Sequence, residues 1–333
     1  GISLVNAVVA LVLWRRLAAL GKSLRQVSTG LQRTEREIGQ HRFVLATLSG
    51  LHKKSEDLEK KDVEPAEAAM VEEAAVEPPA EENLTAGLKD GEILNFVKKA
   101  LQNDQVSILH QPIVTLPDRT VRYYEVYSRI LLGDQGFIPA QKFISVAKNN
   151  NLIGAVDNLL LLRCLKILKN GPFKEQNAQF FINISIQTLC EKTYVKDLVD
   201  FLGANPRLSS RLIFEITQKD SLSMNPLAKK VMEGMALLGC RFSMDQVTIL
   251  GMDINRLLDQ NIAFVKMDVK ALENEMSNSH AKMRIKRIKN HLDANGIQVI
   301  LEKVENEKQL LGLVDLQADY GQGFLFGRPA PLE

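Results

Sequence analysis

The sequence predicts an α/β protein whose globular part is a closed (β/α)8, TIM-like barrel, preceded by a membrane-proximal helix and a coiled coil. Three observations carry this. Five short apolar runs in the second half each end in a residue able to bind a metal or take up a proton. Phe180 to Ile182 leads to Asn183, Leu212 to Phe214 to Glu215, Phe242 to Met244 to Asp245, Ile262 to Val265 to Lys266, and Val299 to Leu301 to Glu302. Buried parallel strands read as continuous apolar runs, and a barrel of them gathers its chemistry at their C-terminal ends. Helix-like stretches separate the runs, giving about eight βα units in roughly 240 residues. An open doubly wound sheet is the alternative, weakened by the lack of a GxGxxG or GxxxxGK[ST] loop after any strand.

The elements follow in order. The chain opens at Gly1 inside an apolar run from Ile2 to Trp14, followed at once by Arg15 and Arg16. That run is shorter than the about 20 residues a spanning helix takes. Its Trp and paired arginines fit the end, residues 1–16, of a transmembrane helix leaving the inner membrane on the cytoplasmic side. An apolar continuation of the next segment is the other reading. Over residues 17–59, Leu17, Leu20, Leu24, Val27, Leu31, Thr34, Ile38, His41, Leu45 and Leu48 keep a heptad register. Such a seam needs a partner helix, and the simplest is a second copy of the chain, making a parallel homodimer. Thr34 and His41 either fix the register of that seam or weaken it. Residues 60–91 turn to Glu, Ala and Pro, a composition that cannot offset the entropy of ordering, and read as an extended acidic linker.

From 92 to 333 the alternation begins. Glu92 to Gln102 reads as an amphipathic helix, Val106 to Val114 and Val121 to Leu132 as the first strands, and Pro139 to Leu168 as helical. Strand and helix then alternate to a final strand over Gly321 to Phe326. Lys282, Arg284, Lys286, Arg287 and Lys289 form a basic helical segment, read as a solvated face, with a contact to the acidic linker as the alternative.

Composition narrows the function. With 333 residues, 45% hydrophobic, the chain can bury a sizeable core, and a net charge of +2 provides no field that would gather a nucleic-acid polymer. Cys164, Cys190 and Cys240 are widely spaced and without a CxxC pair. They read as buried thiols in a reducing compartment rather than zinc ligands or nucleophiles.

The strand ends hold the chemistry. Asn183, Glu215, Asp245 and Glu302 are oxygen donors of the kind Mg²⁺ chooses, Lys266 is a candidate general base or phosphate contact, and Glu125 joins them from the second strand. The motifs Gln111-Pro112-Ile113-Val114, Glu125-Val126-Tyr127-Ser128-Arg129, Asn183-Ile184-Ser185, Glu215-Ile216-Thr217, Lys266-Met267-Asp268, Glu302-Lys303-Val304-Glu305 and Gln322-Gly323-Phe324 occur in this order. Together they resemble the EAL domain, the family of cyclic di-GMP phosphodiesterases and receptors, from Glu92 to the C-terminus.

The resemblance implies roles residue by residue. In active members, residues matching Glu125, Asn183, Glu215 and Asp245 hold divalent metal, the one matching Lys266 helps activate water, and those matching Glu302 and Gln322 complete the site. Gln111 and Arg129 would meet the dinucleotide, Arg129 on a phosphate, where a guanidinium fork matches the geometry. Asp157 matches a position that can contact guanine, Tyr127 either presents its ring to a guanine or packs, and Glu305 belongs with the ligand-binding set.

Three departures alter the expected chemistry. Active members carry paired aspartates before a Phe-Gly-Thr-Gly loop, whereas Asp245 is followed by Gln246-Val247-Thr248-Ile249-Leu250. Two-metal sites hold their ions about 3.5–4 Å apart and need flanking anions, so a neutral amide should empty at least one. The glutamate that supports this loop is replaced by Gln218, and Lys303 stands where the family has glycine, adding a cation beside the cluster. The expectation is a catalytically inactive EAL domain, with vestigial Lys266 and Glu302 and no required cofactor. It would bind cyclic di-GMP as a membrane-tethered receptor, recruiting flagellar or polar proteins, with the cell pole as a site of action. The alternatives are a slow phosphodiesterase using Mg²⁺ or Mn²⁺, and an interaction scaffold that binds no nucleotide.

Overall fold

The computed structural model describes residues 88–331, apart from 104, 133–135, 172, 174–176, 249 and 277–278. The expected transmembrane helix, the coiled coil and nearly all of the acidic linker lie outside the described residues. Among the described residues no helix is long and apolar enough to cross a membrane.

Helix α1 (Asp90–Gln102) leads into β1 (Val106–Thr115), β2 (Val121–Leu131) and the short β3 (Phe137–Pro139). Helices α2 (Ala140–Asn149) and α3 (Ile153–Asn170) precede β4 (Phe180–Asn183), α4 (Ile186–Leu189), α5 (Lys192–Ala204) and α6 (Pro206–Ser209). Then come β5 (Leu212–Thr217), α7 (Gln218–Leu222), α8 (Pro226–Leu237), β6 (Arg241–Val247) and α9 (Ile254–Asp259). The chain continues through β7 (Ile262–Asp268), α10 (Val269–Glu275), α11 (Ser279–Ala294), β8 (Gln298–Glu302) and α12 (Glu307–Gly312). A 3₁₀ turn (Val314–Leu316), β9 (Tyr320–Gln322) and β10 (Ala330–Pro331) complete it.

The strand order is β10-β1-β9-β8-β7-β6-β5-β4-β2-β3, and the additional β1–β2 pairing closes an eight-stave barrel. Seven staves are mutually parallel, as the apolar runs predicted. The departure is β1, antiparallel to both β2 and β9. Five residues separate β1 from β2, enough for a turn and far too few for the crossover that a parallel pair requires.

Two apolar layers hold the barrel. The outer one, between strands and helices, includes Phe180, Ile182, Phe214, Met232, Phe242, Val265 and Leu292. Inside, Ile113, Tyr123, Phe181, Ile213, Phe264, Ile300 and Tyr320 form a separate cluster, with Tyr123 edge-on to Phe181 and Phe264 at 5.4 and 5.5 Å between ring centroids. A third cluster, with Ile93, Val97, Ile130, Ile138 and Phe143, braces the end of β2 that runs past the barrel to pair with β3.

Strand ends pass directly into helix caps. Ser185 Oγ accepts from Thr188 N at 3.1 Å, Thr217 Oγ1 from Asp220 N at 3.1 Å, and Asp268 Oδ1 from Ala271 N at 3.1 Å. Each satisfies a helix N–H that would otherwise lack a partner, and each lies two residues after a candidate site residue. The expected final strand over Gly321 to Phe326 is corrected: β9 ends at Gln322. At Gly323 the backbone takes φ +148°, and a Cβ there would lie 2.2 Å from the Val304 carbonyl oxygen. The chain must turn at this point, and only glycine fits the approach.

Candidate functional site

Side chains alternate along a strand, so residues two apart share a face. Two residues beyond the inner cluster on each parallel stave stand Glu125, Asn183, Glu215, Lys266, Glu302 and Gln322, and Asp245 follows Ser243 in the same way. On antiparallel β1 the order is reversed, so Gln111, which precedes Ile113 in sequence, joins the same upper layer. The register sets Gln111 opposite Glu125 and Asn183 opposite Glu215, while Asp245 lies opposite Thr217 and Glu302 opposite Asp268, one step further along their neighbours.

Lys266 is the hub. Its ammonium is 1% exposed, hydrogen-bonded to Glu125 Oε2 and 3.0 Å from Glu215 Oε1. Burial alone would lower its pKa, but the charges of Glu125, Glu215 and Asp245 outweigh this and hold it well above the usual lysine value. The Glu125 carboxyl is also buried, and Lys266 pulls its pKa below normal. Glu215 goes the other way, raised by burial and by repulsion from Glu125. Burial and Asp245 push Glu302 up to about 8. One buried ammonium therefore serves four buried carboxyl groups.

An amide and phenol network closes the other side. Gln322 Nε2 donates to Glu125 Oε2 at 2.7 Å and lies 3.1 Å from Tyr127 Oη. Tyr127 donates to Gln111 Oε1 at 3.2 Å, and Gln111 Nε2 donates to the Gly327 carbonyl at 2.9 Å. Tyr127 thus contributes its hydroxyl to this network, and burial beside Glu125 keeps that hydroxyl protonated. Two residues further on, the Arg129 guanidinium lies 4.5 Å over the Phe137 ring, and its buried Nε has no hydrogen-bond partner. Stacking fixes the plane of the fork and leaves a donor available.

Two predicted residues stand apart from the ring. Asp157, on α3, accepts from Ser185 N at 2.9 Å and Thr188 Oγ1 at 2.6 Å, tying down the loop that follows Asn183. Glu305 is exposed and pairs with Lys270 at 3.1 Å on the rim. Sequence reasoning did not single out Asp268, two residues beyond Lys266 on β7. Its Oδ2 accepts from Lys303 Nζ at 2.7 Å. The period of two from Lys266 was the available signal.

The donor set can be tested against the metal that the resemblance implies. Glu215 Oε2, Asp245 Oδ1 and Glu302 Oε1 are buried without a hydrogen-bond partner, and unpaired carboxylate oxygens are the donors that a hard cation takes. Among the described residues no three acidic, imidazole or thiol groups already converge on one point, consistent with Lys266 standing between Glu125 and Glu215. Gln246 is exposed, in the left-handed region at φ +53°, and Asp268 is engaged by Lys303. Gln218 keeps its supporting role, accepting from Thr248 N at 3.0 Å, since an amide oxygen can accept as a carboxylate does.

Comparison with known proteins places the architecture. The EAL domain model matches residues 95–329, and the chain belongs to this family. It is 26% identical over 240 residues to the cyclic di-GMP phosphodiesterase PdeF of Escherichia coli, covering 72% of this chain and 32% of PdeF. The phosphodiesterase RocR of Pseudomonas aeruginosa is 23% identical, with 71% of this chain and 60% of RocR aligned. The chain therefore spans about a third of PdeF and under two thirds of RocR. Among solved structures, the FimX EAL domain from Pseudomonas aeruginosa bound to c-di-GMP aligns with TM-score 0.60 at 24% identity, over 72% of this chain and 97% of that one. Vibrio cholerae LapD aligns with TM-score 0.64 at 19% identity, over 72% and 57%. Both show the shared fold.

Proposed function

We propose that this chain is a cyclic di-GMP receptor whose EAL domain binds the dinucleotide without turning it over. The observation that carries the reading is the contrast at the barrel mouth. Arg129, two residues along β2 from Tyr127 of the Gln111–Tyr127–Gln322 network, has a buried Nε without a hydrogen-bond partner, while Lys303 pairs with Asp268 and Gln246 is exposed. A free guanidinium donor suits phosphate recognition, and an ammonium and a neutral amide beside the carboxylates disfavour the pair of ions that two-metal hydrolysis uses. Family membership supports cyclic di-GMP as the ligand, as do relatives described as cyclic di-GMP phosphodiesterases and the FimX and LapD structures with c-di-GMP bound.

The rest of the chain extends the proposal. An apolar segment with following arginines, a heptad segment and an acidic linker ahead of an EAL domain resemble the arrangement of TipF, a cyclic di-GMP receptor of flagellar assembly. On that basis the protein is a homodimer tethered to the inner membrane, with its EAL domain in the cytoplasm and flagellar or polar proteins as its partners. A slow phosphodiesterase is the second reading, favoured by the orphaned oxygens of Asp245 and Glu302. In that case Glu125, Asn183, Glu215 and Asp245 would hold one ion, which when bound would polarise a phosphoryl oxygen. Incubating the full chain with cyclic di-GMP and Mn²⁺ separates the readings. The receptor leaves the dinucleotide intact while binding it in the micromolar range. Steady formation of linear pGpG contradicts the proposal, and no binding at tens of micromolar leaves only a scaffold.

A further inference from the structure

Lys303 directly follows β8 and takes φ +58°. A residue with a Cβ is strained in the left-handed region, so it persists there only when something offsets the strain. The offset lies in what the ammonium reaches. Nζ is 2.7 Å from Asp268 Oδ2 and 3.9 Å from Glu302 Oε1, and the negative charges of Glu302, Asp268 and Asp245 all act on it. The Lys303 side chain is 60% exposed at the rim, and Glu302 Oε1, the oxygen it approaches, is buried without a hydrogen bond, as is Asp245 Oδ1. Where the family has glycine, no side chain could place a charge here.

We infer that Lys303 is a built-in cation: its ammonium supplies, covalently and permanently, positive charge that a second divalent ion would otherwise bring to Asp268, Glu302 and Asp245. A tethered ammonium neutralises those carboxylates at any metal concentration. It cannot act as a Lewis acid or ionise a bound water at neutral pH, functions that belong to a metal. The substitution therefore preserves charge balance at the mouth and withholds a reactive ion. For a receptor this makes occupancy follow the nucleotide alone, independent of Mg²⁺. The inference rests on the receptor reading for its meaning, but its test needs no nucleotide.

The test is titration of Mn²⁺ into the full chain at pH 7.5, followed by calorimetry and by the loss of the free-ion electron paramagnetic resonance signal. Three variants are compared with wild type. Lys303→Gly removes both charge and backbone strain. Lys303→Met keeps the stem and the strained backbone and removes only the charge, so it tests the idea if the glycine variant does not fold. Lys303→Arg keeps the charge. The expected result is at least tenfold tighter Mn²⁺ binding, or one additional equivalent, in Gly and Met, with Arg resembling wild type. Mn²⁺ binding in Gly and Met within twofold of wild type overturns the inference, as does an Arg variant that behaves like Met. Whether any of these proteins binds cyclic di-GMP is measured separately, so failure of the receptor reading leaves this result interpretable.

Discussion

The floor and the mouth of the barrel are built on the same strands, two residues apart, and differ in almost every physical respect. The floor, with Tyr123, Phe181, Ile213, Phe264, Ile300 and Tyr320, is apolar and aromatic. The mouth, with Glu125, Asn183, Glu215, Lys266, Glu302 and Gln322, crowds carboxyl groups around one buried ammonium. The floor stabilises by burial at about 25 cal/mol per Å² of apolar surface. The mouth has desolvated charges, which repay their cost only where partners are in place. Lys266 lies 5.9 Å from the Phe181 ring centroid, so the aromatic floor is also what keeps water from weakening the charges above it. A binding site of this kind is a stability cost that the layer beneath it covers.

Substitutions that take the two layers apart should rank accordingly. Lys266→Met leaves the Glu125 carboxylate buried without its counter-charge and should cost about 3–5 kcal/mol in urea denaturation at neutral pH. A loss below about 1 kcal/mol would mean that the carboxyl groups are already neutral. Phe264→Ala opens a cavity in the floor and should cost about 3–4 kcal/mol with little dependence on pH, since no charged group is removed. If its cost instead grows with pH, floor and mouth are not separable as argued.

Arg129→Ala should act on ligand and not on fold. Losing a charge-assisted phosphate contact of about 1.5–3 kcal/mol weakens cyclic di-GMP binding by roughly 10- to 100-fold, with the melting temperature nearly unchanged. The pH dependence of the mouth follows from Glu302, whose folded value is about 8 against 4.5 in a free side chain. Between these values the folded state holds more protons than the unfolded state, so stability falls as pH rises from about 4.5 towards 8. Glu302→Gln should flatten that fall, with a melting temperature a few degrees above wild type at pH 8 and the gap closing at pH 5. Gln218→Ala is the smallest change, about 1 kcal/mol, from loss of its bond to Thr248 N.

The parallel strands were legible because each buried run leads to its chemical residue, and Asn183, Glu215, Asp245, Lys266 and Glu302 stand at or near the C-terminal ends of successive staves. The reversal of β1 was less legible, since an apolar run has no direction. Gln111 reaches the mouth only because the strand runs downwards. The strand expected over Val121 to Leu132 is β2, which ends at Leu131 and carries Tyr127 and Arg129 on from Glu125. The run after Gly321 looked strand-like because Phe324, Leu325 and Phe326 are apolar, while the close approach of Gly323 to Val304 is a tertiary fact that composition cannot express. Lys303 was visible as a departure from glycine. Its partner Asp268 was not, because their pairing joins two strand ends 35 residues apart.

Calorimetric titration of the full chain with cyclic di-GMP, in a chelator and again in millimolar Mn²⁺ with the products analysed afterwards, tests the central claim most directly. The account predicts affinities within about threefold in the two buffers and recovery of intact dinucleotide. Binding that requires Mn²⁺, accompanied by linear pGpG in the recovered sample, would contradict it.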